Sequence, residues 1–327
     1  MQRNYTIDLL KCLAVVLIVN FHSHELYPKY KFLAAGGDIG NALFFFCSGF
    51  LLYKSCSAPI TWGAWFKRRI ARVWPTLLSW SFIAYLMTVV NIATPTPTVV
   101  TTFAALSANP WWFIKCLFIY YIIYWVCLRT LGGKFGLFFI LAFALLTCRW
   151  LFAADDTCNV AVIYSKVLYW YNLPVMLLGG WMARSKCEIR RSLYGVFSTI
   201  VCLAGYAVAH HFAMRDTAFS WLLVVSNMFL CGFCGSFYLM ARSPFVSMVI
   251  GERNLGAIVG FIAGLSLDIY VSHRSLLTAQ LNGIFPLNIL VVYVEIVVLA
   301  YVVRTLGRFI CQTFSSELEY DWQKLFK

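Results

Sequence analysis

His22, Lys11 and Asp8 are the residues whose types and spacing first point to chemistry in this chain. They lie in one long apolar segment. At about 100° per residue, Lys11 and His22 return to within roughly 20° of one helical face, about 16 Å apart along the axis. Asp8, three residues before Lys11, lies near the same stripe. An imidazole, with an ordinary pKa near 6.5, suits proton transfer at neutral pH. Ionisable groups inside a membrane span are costly, so a row of them facing inward is a functional-site hypothesis by default. The alternative is that Lys11 and Asp8 snorkel to one interface while His22 lies at the other.

A second group is cationic. Lys67, Arg68, Arg69 and Arg72 cluster immediately before an apolar run, and Arg69 and Arg72 are three residues apart, so on a helix they project from neighbouring faces. Guanidinium forks pair bidentately with phosphate oxygens, and the N-terminus of a following helix would add its partial positive charge. Anchoring to anionic lipid head groups explains the same cluster. Pro75 fits either case, being tolerated in a first helical turn. Cys231 and Cys234 form a CxxC by spacing alone; in an apolar run with no partner pair they read as core residues, and no metal site is expected.

The elements that carry these groups follow from composition. A chain of 327 residues that is 61% hydrophobic and 12% charged has about half the charge of an ordinary soluble protein. It reads as an all-α, polytopic membrane helical bundle. Ten spans of suitable length are expected, near 5–24, 38–53, 73–92, 111–129, 135–152, 167–183, 193–211, 218–240, 256–273 and 286–304. The second and ninth are weakest, being glycine-rich or interrupted by polar residues. Residues 91–110 read as an uncharged loop, with Trp111 and Trp112 as an interfacial anchor. One membrane domain over 1–310 with a short cytoplasmic tail over 311–327 is the economical organisation. The first span carries a lysine and an aspartate and lacks a small-residue cleavage site, so it is expected to remain as an anchor.

Orientation follows from the cations. With the N-terminus inside, nineteen lysines and arginines fall in inner segments against six in outer ones, and Lys115 lies within a span. Both termini are therefore expected in the cytoplasm. The net charge of +13 is mostly this topology signal. It is dispersed over short loops and forms no single stripe, so no nucleic-acid partner is expected.

The residues Arg3, Asn4, Tyr5, Ile7, Asp8, Leu10, Lys11 and His22 together resemble the first-span signature of the membrane acyltransferase-3 family. Gly40 and the run LFFFCSGF over Leu43–Phe50 are similar to its FFxxSGF block. Arg69, Arg72 and Pro75 match its RxxR and R-x-x-P pattern, and Trp112–Phe113 its WF pair. Ser266, Ile269, Tyr270 and His273 resemble a late S-x-x-I-Y-x-x-H element. The order and spacing of these blocks, over residues 3–273, make the set specific.

The resemblance implies transfer of an acyl group, usually acetyl, from cytoplasmic acyl-CoA to a hydroxyl of a glycan or lipid-linked sugar. The expected setting is the inner membrane of a bacterium. His22 would act as general base or as acyl carrier. Arg69 and Arg72 would bind the phosphates of acetyl-CoA, with Lys67 and Arg68 adding to the local field. Lys11 and Asp8 would line the inner end of a tunnel, and Tyr270 and His273 would approach the acceptor. Lys11 stands where the family often has arginine and lacks the bidentate fork. Glu25 would orient His22 or be a solvated loop charge paired with Lys29, and Ser48 is expected to allow close helix packing. Some relatives carry a fused extracytoplasmic hydrolase-like domain; this chain ends soon after its tenth expected span, so direct action on a membrane-associated acceptor, or delivery of the acyl group to a separate protein, is expected. A transporter without acyl chemistry is the competing reading, with Asp8, Lys11, His22, Lys115 and Asp268 lining a path.

Overall fold

Lipid offers no hydrogen-bond partners, so an apolar backbone must satisfy its own polar groups, and helices are the local solution. The computed structural model describes residues 4–57, 59–90, 112–129, 134–157, 159–185, 192–251, 253–315 and 321–326, and among them every regular element is helical. Fourteen α-helices follow in order: α1 (Tyr5–His22), α2 (Gly37–Ser57), α3 (Trp62–Val89), α4 (Trp112–Arg129), α5 (Phe135–Asp156), α6 (Val160–Tyr171), α7 (Leu173–Ser185), α8 (Ser192–Ala213), α9 (Leu222–Ala241), α10 (Pro244–Gly251), α11 (Arg253–Gly264), α12 (Ser266–Ser272), α13 (Leu287–Thr313) and α14 (Trp322–Phe326). The loop expected over 91–110, Trp111 and Arg3 lie outside the described residues.

Eight helical segments among the described residues are long and apolar enough to cross a membrane. They correspond to eight of the ten expected spans. The ninth expected span, 256–273, is a broken pair, Asn254–Gly264 and Ser266–Leu276, bent by 52°. The third falls on α3, which is not among the eight, because its first half holds the cations and its second half dilutes apolar residues with Pro75, Thr76, Ser79 and Ser81. Two local expectations change here. Helix α3 starts at Trp62, so Lys67 to Arg72 lie within it, beyond its first-turn amides, and Pro75 lies in its interior.

The helices sort into two compact units. The first comprises Met1–Ala14, Asp38–Pro59 and Trp112–Val259. Its core is aromatic, with Phe45, Phe46, Phe113, Tyr120, Tyr124 and Tyr171 fully buried. Helices α2 and α7 meet backbone to backbone: a Cβ at Gly49 would overlap the Met176 carbonyl, and one at Gly179 would overlap the Phe46 carbonyl. The close approach assigned to Ser48 thus rests on its neighbour Gly49. Tyr124 Oη fixes the same spot by donating to the Gly49 carbonyl at 2.7 Å. Cys231 and Cys234 are buried on α9.

The second unit comprises Val15–Gly37, Ile60–Trp111 and Gly260–Lys327. Val15, Val19, Leu26, Leu265, Ile269, Val292, Ile296 and Ala300 form its apolar centre, and α13 packs on α3 and α12. The chain after α1 is held by asparagines. Asn20 Nδ2 donates to the carbonyls of Leu33 and Ala35 at 2.8 and 3.1 Å, and Tyr27 Oη donates to Asn20 Oδ1 at 2.6 Å. Asn282 and Asn288 Nδ2 donate to the carbonyls of Glu25 and Leu26, each at 2.9 Å. Residues 321–326, within the expected tail, dock on α13: Leu325 is buried, Arg308 Nη1 donates to its carbonyl at 3.1 Å, and Tyr301 Oη donates to the Phe326 carbonyl at 3.0 Å.

Candidate functional site

His22 is the last residue of α1, and the asparagine ties on either side of the following turn fix its position. Opposite it stands His273, directly after α12. The two imidazole rings stack with centroids 5.2 Å apart and planes 30° from parallel. His273 is 2% exposed. Its Nδ1 lies 2.8 Å from the Tyr270 carbonyl and 3.1 Å from that of Ile269. Carbonyls only accept, so Nδ1 must carry the proton and Nε2 the lone pair. Nε2 is buried and has no hydrogen-bond partner among the described residues. A buried, oriented, unengaged lone pair is costly to leave unsatisfied, and it is what a base requires.

Arg274 completes the group. Its Nη2 is 3.2 Å from Nδ1 and 3.1 Å from Nε2 of His22. A guanidinium nitrogen nearly equidistant from both ring nitrogens stands over the imidazole face, so a permanent cation faces the His22 ring. Phe21 packs its ring edgewise on His22 at 5.1 Å. Tyr270 is half-buried with its ring 6.2 Å from that of His273. Glu25 is exposed and its carboxylate lies 4.0 Å from His24 Nε2. Of the residues expected at this end, His22, His273 and Tyr270 come together.

The cationic residues sit lower on the second unit's own framework. Arg69 is 9% exposed with its guanidinium 5.6 Å over the Trp65 ring, while Lys67, Arg68 and Arg72 are exposed on the same helix. One turn on, Thr76 Oγ1 donates to Asp268 Oδ1 at 2.9 Å. Asp268, 5% exposed, lies on α12 five residues before His273, so one short segment carries a buried carboxylate and a buried imidazole. Asp8 and Lys11 are half-buried on α1 within the first unit.

Sequence reasoning missed three features. Arg274 was visible only as an outer loop charge, Thr76 not at all, and Asp268 only as a possible path-lining group. In the first unit, Asp38 accepts from Tyr164 Oη at 2.6 Å and Tyr206 Oη at 3.2 Å, with His210 Nε2 3.6 Å away. This knot ties α2, α6 and α8, and only its position at the start of an apolar run marked Asp38 in the sequence. Among the described residues no group of His, Cys, Asp and Glu is arranged to hold a metal ion.

A family model described as an acyltransferase domain matches residues 4–307. No curated protein and no solved structure matches the chain.

Proposed function

We propose, from the premise that this chain belongs to the acyltransferase-3 family and is a membrane acyltransferase, that it is an acyl-CoA-dependent O-acetyltransferase acting on a glycan or lipid-linked sugar. The observation that carries this reading is the stacked His22–His273 pair with an unengaged Nε2 on a ring of fixed tautomer. In the reaction, the acceptor oxygen attacks the thioester carbonyl carbon. A C–O bond forms and the C–S bond breaks, the hydroxyl proton passes to an imidazole nitrogen, and that proton then returns to the departing thiolate. Arg274, a donor beside His22, can stabilise negative charge developing on the carbonyl oxygen. Arg69 and Arg72 are the proposed partners of the CoA phosphates, with Lys67 and Arg68 enriching the positive field. Lys11 and Asp8 are proposed to line the route from the donor side.

A second route runs through an acyl-histidine, in which His22 first takes the acyl group and CoA leaves before the acceptor binds. A single turnover with labelled acetyl-CoA and no acceptor separates the two: labelled protein with stoichiometric CoA release marks the covalent route. The proposed setting is a bacterial inner membrane, as the family resemblance implies, with donor chemistry at the cytoplasmic face that the cation asymmetry favours and one membrane domain over 1–310.

The test is acceptor-dependent CoA release by the purified protein in nanodiscs, read by mass spectrometry because twelve cysteines compromise a thiol reagent. His22→Ala should abolish release while the unfolding midpoint stays put. Consumption of acetyl-CoA by folded His22→Ala at the normal rate would sink the catalytic assignment. Mass spectrometry of the host's surface glycans with and without the protein identifies both acyl group and acceptor.

A further inference from the structure

The arginines of α3 have counterparts on α13. Taking about 100° per residue, Arg69, Arg72, Thr76 and Ser79 fall within about 80° of one another, so they form one stripe on α3. Two contacts fix where that stripe faces. Thr76 bonds Asp268 on α12, and a Cβ at Gly307 of α13 would come within 3.3 Å of Ser79 Oγ and 3.5 Å of the Pro75 carbonyl. Helices α3 and α13 therefore cross closely at Pro75–Ser79 and Gly307. Arg304 and Arg308 flank that crossing on α13, one turn before Gly307 and directly after it. Both are half-buried, and both set their positive charge against Asp268. Arg304 also lies against the bend between α11 and α12, where a Cβ at Gly264 would meet its Nη1 at 2.7 Å.

Among the described residues the crossing carries one carboxylate, Asp268, set against Arg304 and Arg308, while Arg69 and Arg72 share the α3 stripe from which Thr76 bonds it. Guanidinium groups gathered at the edge of a low-dielectric apolar core favour a polyanionic ligand. Guanidinium forks match phosphate oxygens, and arginines from two helices can grip phosphates set apart on one ligand. Coenzyme A carries two such groups, a diphosphate and a 3′-phosphomonoester.

We propose that Arg304 and Arg308 belong to the donor-binding site and, with Arg69 and Arg72, form a two-helix clamp for the phosphates of acyl-CoA, in which Asp268 positions the α13 side. This rests on the reading of Arg69 and Arg72 given above. Asp268 is a positioning residue: bonded to Thr76 on α3, it gives the α13 guanidinium groups a fixed counter-charge. Arg308 divides its donors between the site and the Leu325 carbonyl, which makes Arg304 the cleaner probe.

Phosphate chemistry is shared by CoA and by anionic lipid head groups, so the test separates them. CoA affinity is measured for the full-length protein in phosphatidylcholine nanodiscs, for wild type, Arg69→Gln, Arg72→Gln and Arg304→Gln, beside retention of co-purified phosphatidylglycerol. Arg304→Gln should weaken CoA binding about tenfold or more, the worth of one charge-assisted contact. Wild-type CoA affinity in Arg304→Gln with loss in Arg69→Gln overturns this inference and leaves the donor reading standing; wild-type affinity in all three variants overturns both. If Arg304→Gln lowers only phosphatidylglycerol retention, the site belongs to lipid and the inference fails. A measurement on the unaltered protein guards against misfolding. CoA should protect Arg304, as well as Arg69 and Arg72, from phenylglyoxal, and unchanged modification of Arg304 at saturating CoA overturns the proposal.

Discussion

At His273 a side chain, two carbonyls and an unengaged lone pair combine to define one chemical state. Because Nδ1 is engaged by the Tyr270 and Ile269 carbonyls, the ring cannot rotate or change tautomer without losing both contacts. Substituting His273→Gln removes the unengaged Nε2 beside His22, and on the proposed mechanism a loss of about 10²-fold or more in kcat is expected, with CoA affinity unchanged. Unaltered kcat would make His273 a core residue. Arg274→Gln should lower kcat by about 10²-fold with little change in KM for the donor, as expected for a group acting on charge in the transition state. A rise in donor KM alone would instead place Arg274 in binding. These two residues were unequally legible. His22 and His273 stood out in the sequence as imidazoles in apolar runs within a recognisable order of motifs. Arg274 did not, because its significance arises from contact with a residue 252 positions away, and no local spacing encodes that.

Helices were legible wherever apolar runs were unbroken, and least so where polar groups interrupt them. The ninth expected span contains Gly264, Ser266 and Asp268, and its 52° bend puts a short helix where a straight span was expected. The reason is tertiary: Asp268 on that short helix is bonded to Thr76 on α3, a partner invisible in local sequence. Thr76→Val removes the donor and leaves a buried carboxylate short of one bond, at a cost of about 1.5–3 kcal/mol. The unfolding midpoint of the purified protein measures this, and an unchanged midpoint would make the bond dispensable. Helix α3 was misjudged at its start because the cations resemble a loop anchor, although lysine and arginine are good helix formers. Packing in the first unit makes a separate prediction. Gly49→Leu sets a side chain into the Met176 backbone, and overpacking of this kind costs about 1–3 kcal/mol or more. The expected result is a lower unfolding midpoint and a poor yield of monodisperse protein after detergent extraction.

For the molecule as a whole, the number of crossings decides which groups share a compartment. Eight helical segments qualify outright, and the bent pair makes nine if it crosses as one span. Parity then turns on helix α3. Its second half exposes Phe82, Tyr85 and Leu86, spaced three and four residues apart on one face, as a helix facing lipid does. With α3 and the bent pair both crossing, the total is even and the termini share a side, in agreement with the excess of lysine and arginine in the inner segments. On the proposed reading, that arrangement would put Arg69, Arg72 and Arg308 on the cytoplasmic side and the turn after His22 on the other. A reporter fused after Lys327 reads it directly. Alkaline phosphatase, active only outside the cytoplasm, should stay silent there, and green fluorescent protein at the same point should fluoresce. An active phosphatase would mean that either α3 or the bent pair fails to cross. The same phosphatase fused within Lys29–Lys31 should be active, because that loop lies one crossing away from the N-terminus. Silence at Lys29–Lys31 with activity after Lys327 would invert the whole arrangement and detach His22 from the outer half of the membrane.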